Sequence, residues 1–355
     1  MFLSLKKIAL LLTAVAHAQA QQQPQQPAAS ASTSGASALQ TPTSQFEWKQ
    51  AYPVAGNVPQ PKSEWLKLID NSTIPTAPLS QAGPTGELVN TQQPGQDPYC
   101  HWTFTQCRRP KDIYTCQPGH WGLSFDDGPT ADSPPLYDFL KKHDIKATFF
   151  LIGGQVIQFP EHVKRLHQEG HEIAIHTWSH TLLTTQTNEQ IIAELKWTEQ
   201  AIKEVIGVSP RLVRPPFGDM DDRVRNITEK LGFIPAIWDH DTNDWKIGTP
   251  GFDAKSIETT IKEWVAKNNT NVGGISLQHD RVKETVDAAV TNLPLLIDAY
   301  KAGSVGQCAN MSSNQLYKET LDKGTEAKGD PSGAERILPS AFTCFLALVL
   351  GLLAL

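Results

Sequence analysis

The chain contains no paired CxxC, no Gly-rich phosphate loop and no HExxH helix. The first absence speaks against a cysteine-based zinc site. The second speaks against a nucleotide fold, and the third against the usual zinc-protease pattern. No basic stripe or charge block is present either: 31 Lys and Arg stand against 37 Asp and Glu, a formal net charge of −6. No nucleic-acid partner is expected from that balance. Long apolar runs are confined to the two ends of the 355 residues.

Those ends read as processing signals. MFLSLKKIALLLTAVAHAQA carries Lys6 and Lys7, an apolar run from Ile8 to Ala16 and then small residues. This is the pattern of a secretory signal over residues 1–20, and the run is shorter than the ~20 residues of a membrane-spanning helix. At the other end, residues 341–355 are almost wholly apolar, preceded by the small residues Ser332, Gly333 and Ala334 and a short spacer. A GPI-attachment signal is expected there, with Ser332 as the attachment site, Gly333 nearly as good, and residues 333–355 removed. A tail-anchored helix is the rival. Residues 21–98 are rich in Gln, Ser, Thr, Pro and Ala without periodic apolar runs, so they are expected to form a linker. A second linker is expected over 309–332. The predicted protein is secreted, held by a GPI lipid at the outer face of the plasma membrane and cell wall, and monomeric. Sequons at Asn71, Asn226, Asn268 and Asn310 suit such an export route. Once Cys344 leaves with the tail, Cys100, Cys107, Cys116 and Cys308 form an even set for an oxidising compartment. A Cys116–Cys308 bond would staple the domain ends, which favours that pair with Cys100–Cys107. Sequence leaves the other two connectivities open.

The remaining segment, 99–308, alternates strand-like and helical patterns. Strands are expected at Trp121–Phe125, Ala147–Ile152, Glu172–Ile175, Leu212–Arg214, Pro235–Trp238 and Gly274–Leu277. Helices are expected at Ser133–His143, Glu161–Gln168, Asn188–Ile206, Asp222–Leu231, Ala254–Lys267 and Val286–Ala302. Thr187 with Gln190 is a capping box opening the third of these. Repeated βα units argue for an α/β fold with a parallel sheet. Six or seven units fall short of eight, so a distorted, incomplete (β/α) barrel is predicted.

Polar clusters follow strand after strand: SFDDGP, HTWSH, RPPFG, WDHDTNDW and SLQHD. In such a barrel the C-terminal strand ends meet on one face, so these motifs would converge on one pocket. Taken alone, Asp126–Asp127 before Gly128 and Pro129 is ordinary turn chemistry. A glycosidase pair would need carboxylates ~5–9.5 Å apart, which neighbours rarely reach. His176 and His180 with a carboxylate would give three protein ligands and one open position, the formula of a catalytic zinc site.

The set SFDDGP, HTWSH, RPPFG, DTNDW and ISLQHD, in order across nearly the whole folded segment, resembles the NodB-homology polysaccharide deacetylases of carbohydrate esterase family 4. It is most similar to the fungal chitin deacetylases. The resemblance implies that Asp126 is the general base and that Asp127, His176 and His180 hold one divalent metal ion, Zn²⁺ or Co²⁺. It implies that Arg214 holds the base, that Asp244 (with Asp241 second) tunes the acid, and that His279 is the acid. It places Phe217 at the oxyanion through its backbone N–H, and Trp245 and Leu277 in the groove or acetyl-pocket walls. Ser124 stands where the family usually has Thr, and Phe217 where relatives often have Tyr. The implied activity is deacetylation of chitin or N-acetylglucosamine oligomers to chitosan and acetate in cell-wall biogenesis. Alternatives are deacetylation of peptidoglycan or acetyl-xylan, a non-catalytic glycan-binding protein, and an anchored structural wall protein. His143, His171 and His240 are read as structural or solvated.

Overall fold

The computed structural model describes residues 46–90, 95–267 and 273–323. The signal segment, Asn268, Ser332 and the apolar tail lie outside these residues. The chain enters as an arm with one short helix, α1 (Ser63–Leu66), and a two-stranded antiparallel ribbon of β1 (Gln81–Ala82) and β2 (Leu88–Val89). After α2 (Trp102–Thr105) comes β3 (His120–Asp126), buried from Trp121 onward.

Beyond β3 the chain repeats helix and strand. Pro134 at the first turn opens α3 (Pro134–Lys142), where the missing N–H costs nothing, and β4 (Thr148–Leu151) follows. Two helices, α4 (Gly153–Gln158) and α5 (Pro160–Gln168), precede β5 (Glu172–Ile175). The capping box of Thr187 and Gln190 starts α6 (Asn188–Ile206), and Gly207, left-handed at φ 81°, ends it. Next come β6 (Leu212–Val213), α7 (Asp222–Lys230), β7 (Ile234–Pro235) and β8 (His240–Asp241). The last units are α8 (Lys255–Ala266), β9 (Gly274–His279), α9 (Lys283–Ala299), β10 (Lys301–Gly303) and α10 (Val305–Cys308).

Strands β3 to β9 form one parallel sheet in the order β7-β6-β5-β4-β3-β9-β8, with β10 pairing the start of β3. Every residue of β4, β5 and β9 is buried, as expected where helices cover both faces. The sheet curls: Arg214, just after β6, bonds Asp126 at the end of β3, three strands further along the order. The order ends at β7 and β8 without closing. This is the incomplete, distorted α/β barrel that the motif pattern predicts. The disulfides are Cys116–Cys308 and Cys100–Cys107.

Three expectations need correction. Residues 46–90 are not a free linker: Trp65, Ile69 and Ile74 join the main core, and Trp197 Nε1–H donates to the Gln60 carbonyl at 2.8 Å. Burial here comes from single bulky residues docking irregularly, which a search for periodicity does not see. The expected second linker is likewise packed as far as residue 323. Tyr317 is buried, its hydroxyl accepts from Ile173 N–H, and Lys318 pairs with Glu199 at 2.6 Å. The packed body therefore exceeds 99–308 on both sides. The last expected helix, Val286–Ala302, instead stops at Ala299 and gives way to β10. Of the sequons, Asn71 and Asn310 are exposed, whereas Asn226 sits inside α7 with its Oδ1 and neighbouring Thr228 buried.

Candidate active site

The C-terminal strand ends open into a cleft of about 510 Å³, within the ~300–1,000 Å³ usual for ligand sites. Asp126 ends β3. Strand geometry alone would send Asp127 to the opposite face, but Asp127 is left-handed at φ 76°. That turn brings both carboxylates into the same cleft. Thr177 (φ 65°), His180 (φ 58°) and Phe217 (φ 59°) are left-handed as well. Such conformations cost of order 1–3 kcal/mol each outside glycine and cluster at functional sites.

The loop after β5 carries both histidines. His176 Nδ1–H donates to the Arg214 carbonyl at 2.7 Å, which leaves Nε2 with its lone pair for the cleft. His176 Nε2 lies 3.4 Å and His180 Nε2 3.0 Å from Asp127 Oδ1. Asp127 Oδ1 is buried without a hydrogen bond among the described residues. The three ligand atoms lie within 4.8 Å of one another. Two imidazoles and a carboxylate oxygen converging on one point, with that oxygen otherwise unpartnered, fit a divalent ion held by three protein groups. Burial works against ionisation of Asp127, yet His180 and His176 hold it well below the usual carboxylate range.

Asp126 stays outside this triad. Arg214 Nη1 donates to Asp126 Oδ1 at 2.8 Å, and both side chains are buried. The guanidinium also donates to Ser124 Oγ and to the carbonyls of Ala236 and Ile237, and it lies 4.0 Å over the Phe150 ring. Such saturation fixes Arg214 and offsets the desolvation of a buried ion pair. Ser124 is thus part of the Arg214 contact.

His279 ends β9 across the cleft. Its Nδ1 meets Asp244 Oδ1 at 2.7 Å, and its backbone N–H donates to Asp244 Oδ2 at 2.8 Å. Burial lowers the His279 pKa, but Asp244 outweighs it and the imidazole is pushed up to about 10. Nε2 is left to face the cleft. Asp241 instead accepts from Asn243 N–H, and burial pushes it up to about 6. Phe217, Trp245 and Leu277 all line the cleft. His171 is buried in the core, and His240 pairs with Asp239.

Two residues here are given no role by the motifs. Glu194 on α6 is fully buried beneath the histidine loop. It accepts from the backbone N–H of Trp178 (2.7 Å) and Ser179 (2.9 Å) and from the Ser179 hydroxyl. Those donors lie between the two candidate ligands, so Glu194 fixes the loop that presents them. The signal was available: a carboxylate on the apolar stripe of α6, beside Ile191, Ile192 and Leu195. Asp280 is the second. Its N–H donates to the Asp126 carbonyl at 3.3 Å, and its carboxylate accepts from Tyr137 Oη at 3.1 Å. Burial pushes it up to about 7.

Comparison with known proteins gives one consistent result. Residues 114–236 match the family described as Polysaccharide deacetylase. The chain is 40% identical over 280 residues to "Chitin deacetylase 1" of Cryptococcus neoformans, covering 74% of this chain and 58% of that protein. It is 38% identical over 283 residues to "Chitin deacetylase" of Amylomyces rouxii, covering 75% of this chain and 67% of that one. The matched stretch thus spans roughly three-fifths to two-thirds of these relatives. The solved chitin deacetylase of Colletotrichum lindemuthianum superposes with a TM-score of 0.53 at 27% identity, over 58% of this chain and 95% of that one.

Proposed function

This chain belongs to the polysaccharide deacetylase family, and we propose that it hydrolyses the N-acetyl groups of an N-acetylglucosamine polymer of the chitin type, releasing acetate. The observation that carries this is the pairing of a three-ligand cluster, Asp127, His176 and His180, with a buried carboxylate, Asp126, that is left out of it. The names of the relatives support chitin as the substrate; peptidoglycan and acetyl-xylan are the competing polymers.

Asp127, His176 and His180 would hold a divalent ion, Zn²⁺ by donor type, with Co²⁺ as a substitute. Bound there, such an ion supplies Lewis acidity and lowers the pKa of a water from ~15.7 to about 7. The protein's own groups do the rest. Asp126, oriented by its charge-assisted bond from Arg214, takes the proton of the attacking water. As the water oxygen bonds to the acetyl carbon, the Phe217 N–H stabilises the negative oxygen, a contribution of ~3–4 kcal/mol per donor in known cases. His279, held through Nδ1 by Asp244, delivers a proton from Nε2 to the amide nitrogen as the C–N bond breaks. The products are acetate and the free amine. The alkaline pKa of His279 keeps it protonated for that step.

We place the enzyme outside the cytosol, which two disulfides suit, and on a lipid anchor at Ser332. Release from cells by a GPI-specific phospholipase tests the anchor. The reaction is tested by acetate release from N-acetylglucosamine oligomers, peptidoglycan and acetyl-xylan, with and without a chelator. Chelator-sensitive release from the oligomers is expected to dominate. Release confined to either other polymer reassigns the substrate, and release indifferent to the chelator removes the ion from the mechanism.

A further inference from the structure

The arm approaches the catalytic cleft at one place. Tyr52 stacks parallel to Trp178, the residue between the two candidate ligands, with ring centroids 5.9 Å apart, and its hydroxyl donates to Glu204 at 2.7 Å. Trp178 Nε1–H donates to the Val54 carbonyl at 3.3 Å. The Asn57 N–H closes a turn onto the same carbonyl, also at 3.3 Å. Gly154 on α4 admits this turn: a Cβ there would come within 2.9 Å of the Ala55 Cβ. The turn therefore sits against the loop that bears His176 and His180, and Gly56 at its tip lines the cleft beside Gln155 and Ser179.

Gly56 has φ 80°, and a Cβ built on it meets nothing within 4 Å. A side chain there has room, and the residue itself is part of the cleft lining. In the sheet order, this rim belongs to the ends of β4 and β5. The other rim, with Trp245, Ile247, Arg281 and Val282, belongs to the β8 and β9 side. Asp126 and Asp127, at the end of β3, lie between the two. A linear polymer presenting one acetamide to the triad has to extend beyond it, and the cleft exceeds what a single sugar fills. The arm also lies outside residues 114–236, the stretch that matches the family.

We infer that the Val54–Asn57 turn is a substrate-binding wall that contacts a sugar ring next to the one being deacetylated, so that the arm sets the preferred oligomer length. This rests on the cleft taking an N-acetylglucosamine polymer. Its ligand chemistry is that of a pyranose, whose ring and hydroxyls would meet the turn's backbone at Gly56, the turn residue that lines the cleft.

The test measures binding apart from turnover. In an Asp126→Asn background, Gly56→Asn places a side chain on the cleft wall, and Asn tolerates the left-handed backbone. Gly95→Asn is the control: Gly95 also lies in the left-handed region (φ 77°) with open space around it, but it is not part of the cleft. Calorimetric titration with the dimer and the pentamer of N-acetylglucosamine is read alongside the melting temperature. Gly56→Asn is expected to weaken pentamer binding several-fold while the dimer stays within twofold, and Gly95→Asn to change neither. Equal effects on both oligomers, no effect, or a pentamer that binds no tighter than the dimer overturns the wall. Acetate release by the unmodified enzyme is scored separately. Length-dependent binding without acetate keeps the wall and removes the deacetylation.

Discussion

At the C-terminal rim of the sheet, Asp126 is buried against the Arg214 guanidinium and Asp127 against two imidazoles. At the opposite end, Glu172, the first residue of β5, is equally buried, but its partners are neutral. Thr148 Oγ1 donates to it at 2.5 Å and the Gly306 N–H at 2.8 Å. The consequences diverge. Burial pushes Glu172 up, whereas the imidazoles hold Asp127 well down despite burial. Glu172 fastens α10 to the base of the sheet, whereas Asp127 is held in its ionised form at the rim. Depth alone therefore marks neither: the partners decide whether a buried carboxylate is a clasp or a reagent, hydroxyl and amide donors at Glu172, two imidazoles at Asp127.

Substitutions at each end break or sharpen that contrast. The largest effect is expected from Asp126→Asn, which keeps an oxygen for Arg214 but removes the base. The turnover number should fall ~10²–10⁴-fold with bound metal unchanged by elemental analysis; near-normal turnover would sink the base assignment. Glu194→Gln probes a third kind of buried carboxylate, one that acts on the rim without entering it. Metal affinity should drop about 10–100-fold, and saturating metal should restore most of the activity. Unaltered affinity would reduce Glu194 to a packing residue.

Asp244→Asn addresses the pH profile. His279 must be protonated to act, so activity is lost as pH rises through its pKa. Asp244 raises that pKa, and removing its charge should move the alkaline limb of kcat/KM to lower pH, by about one unit or more. A limb that stays in place assigns it to another group. The smallest effect is expected at the base, from Glu172→Gln. Glu172 has a folded pKa above its ordinary 4.5, so the folded state binds the extra proton. Its contribution to stability is full below about pH 4.5 and declines as pH rises through the folded value. The variant should flatten that slope with a shift of order 1 kcal/mol and leave turnover per folded molecule unchanged. Chemical denaturation at several pH values, paired with the acetate assay, reads both.

Much of the site was legible because each motif closes a strand, and parallel strands put such closures on one face. That is why the sequence alone brings Asp126, His176, Arg214, Asp244 and His279 to one face. Less was legible where packing follows no period. Trp65, Ile69 and Ile74 dock one at a time, so the arm resembled a linker. Lys301 and Ala302 continued the pattern of α9 and became part of a strand because the start of β3 offers a free edge. Glu194 has a local signal, its place on the apolar stripe of α6, but its partners lie 15 and 16 residues away in the histidine loop, which no motif connects to it.

The sheet order also separates two functions along the chain. Asp127, His176 and His180 come from the contiguous stretch β3 to β5, while Asp244 and His279 arrive with β8 and β9, after residue 239. During synthesis the candidate ligand set emerges first and the proposed proton donor last. Under the proposed mechanism, a chain halted between them would own the cation-gripping half of the machine without the half that lets the amine depart.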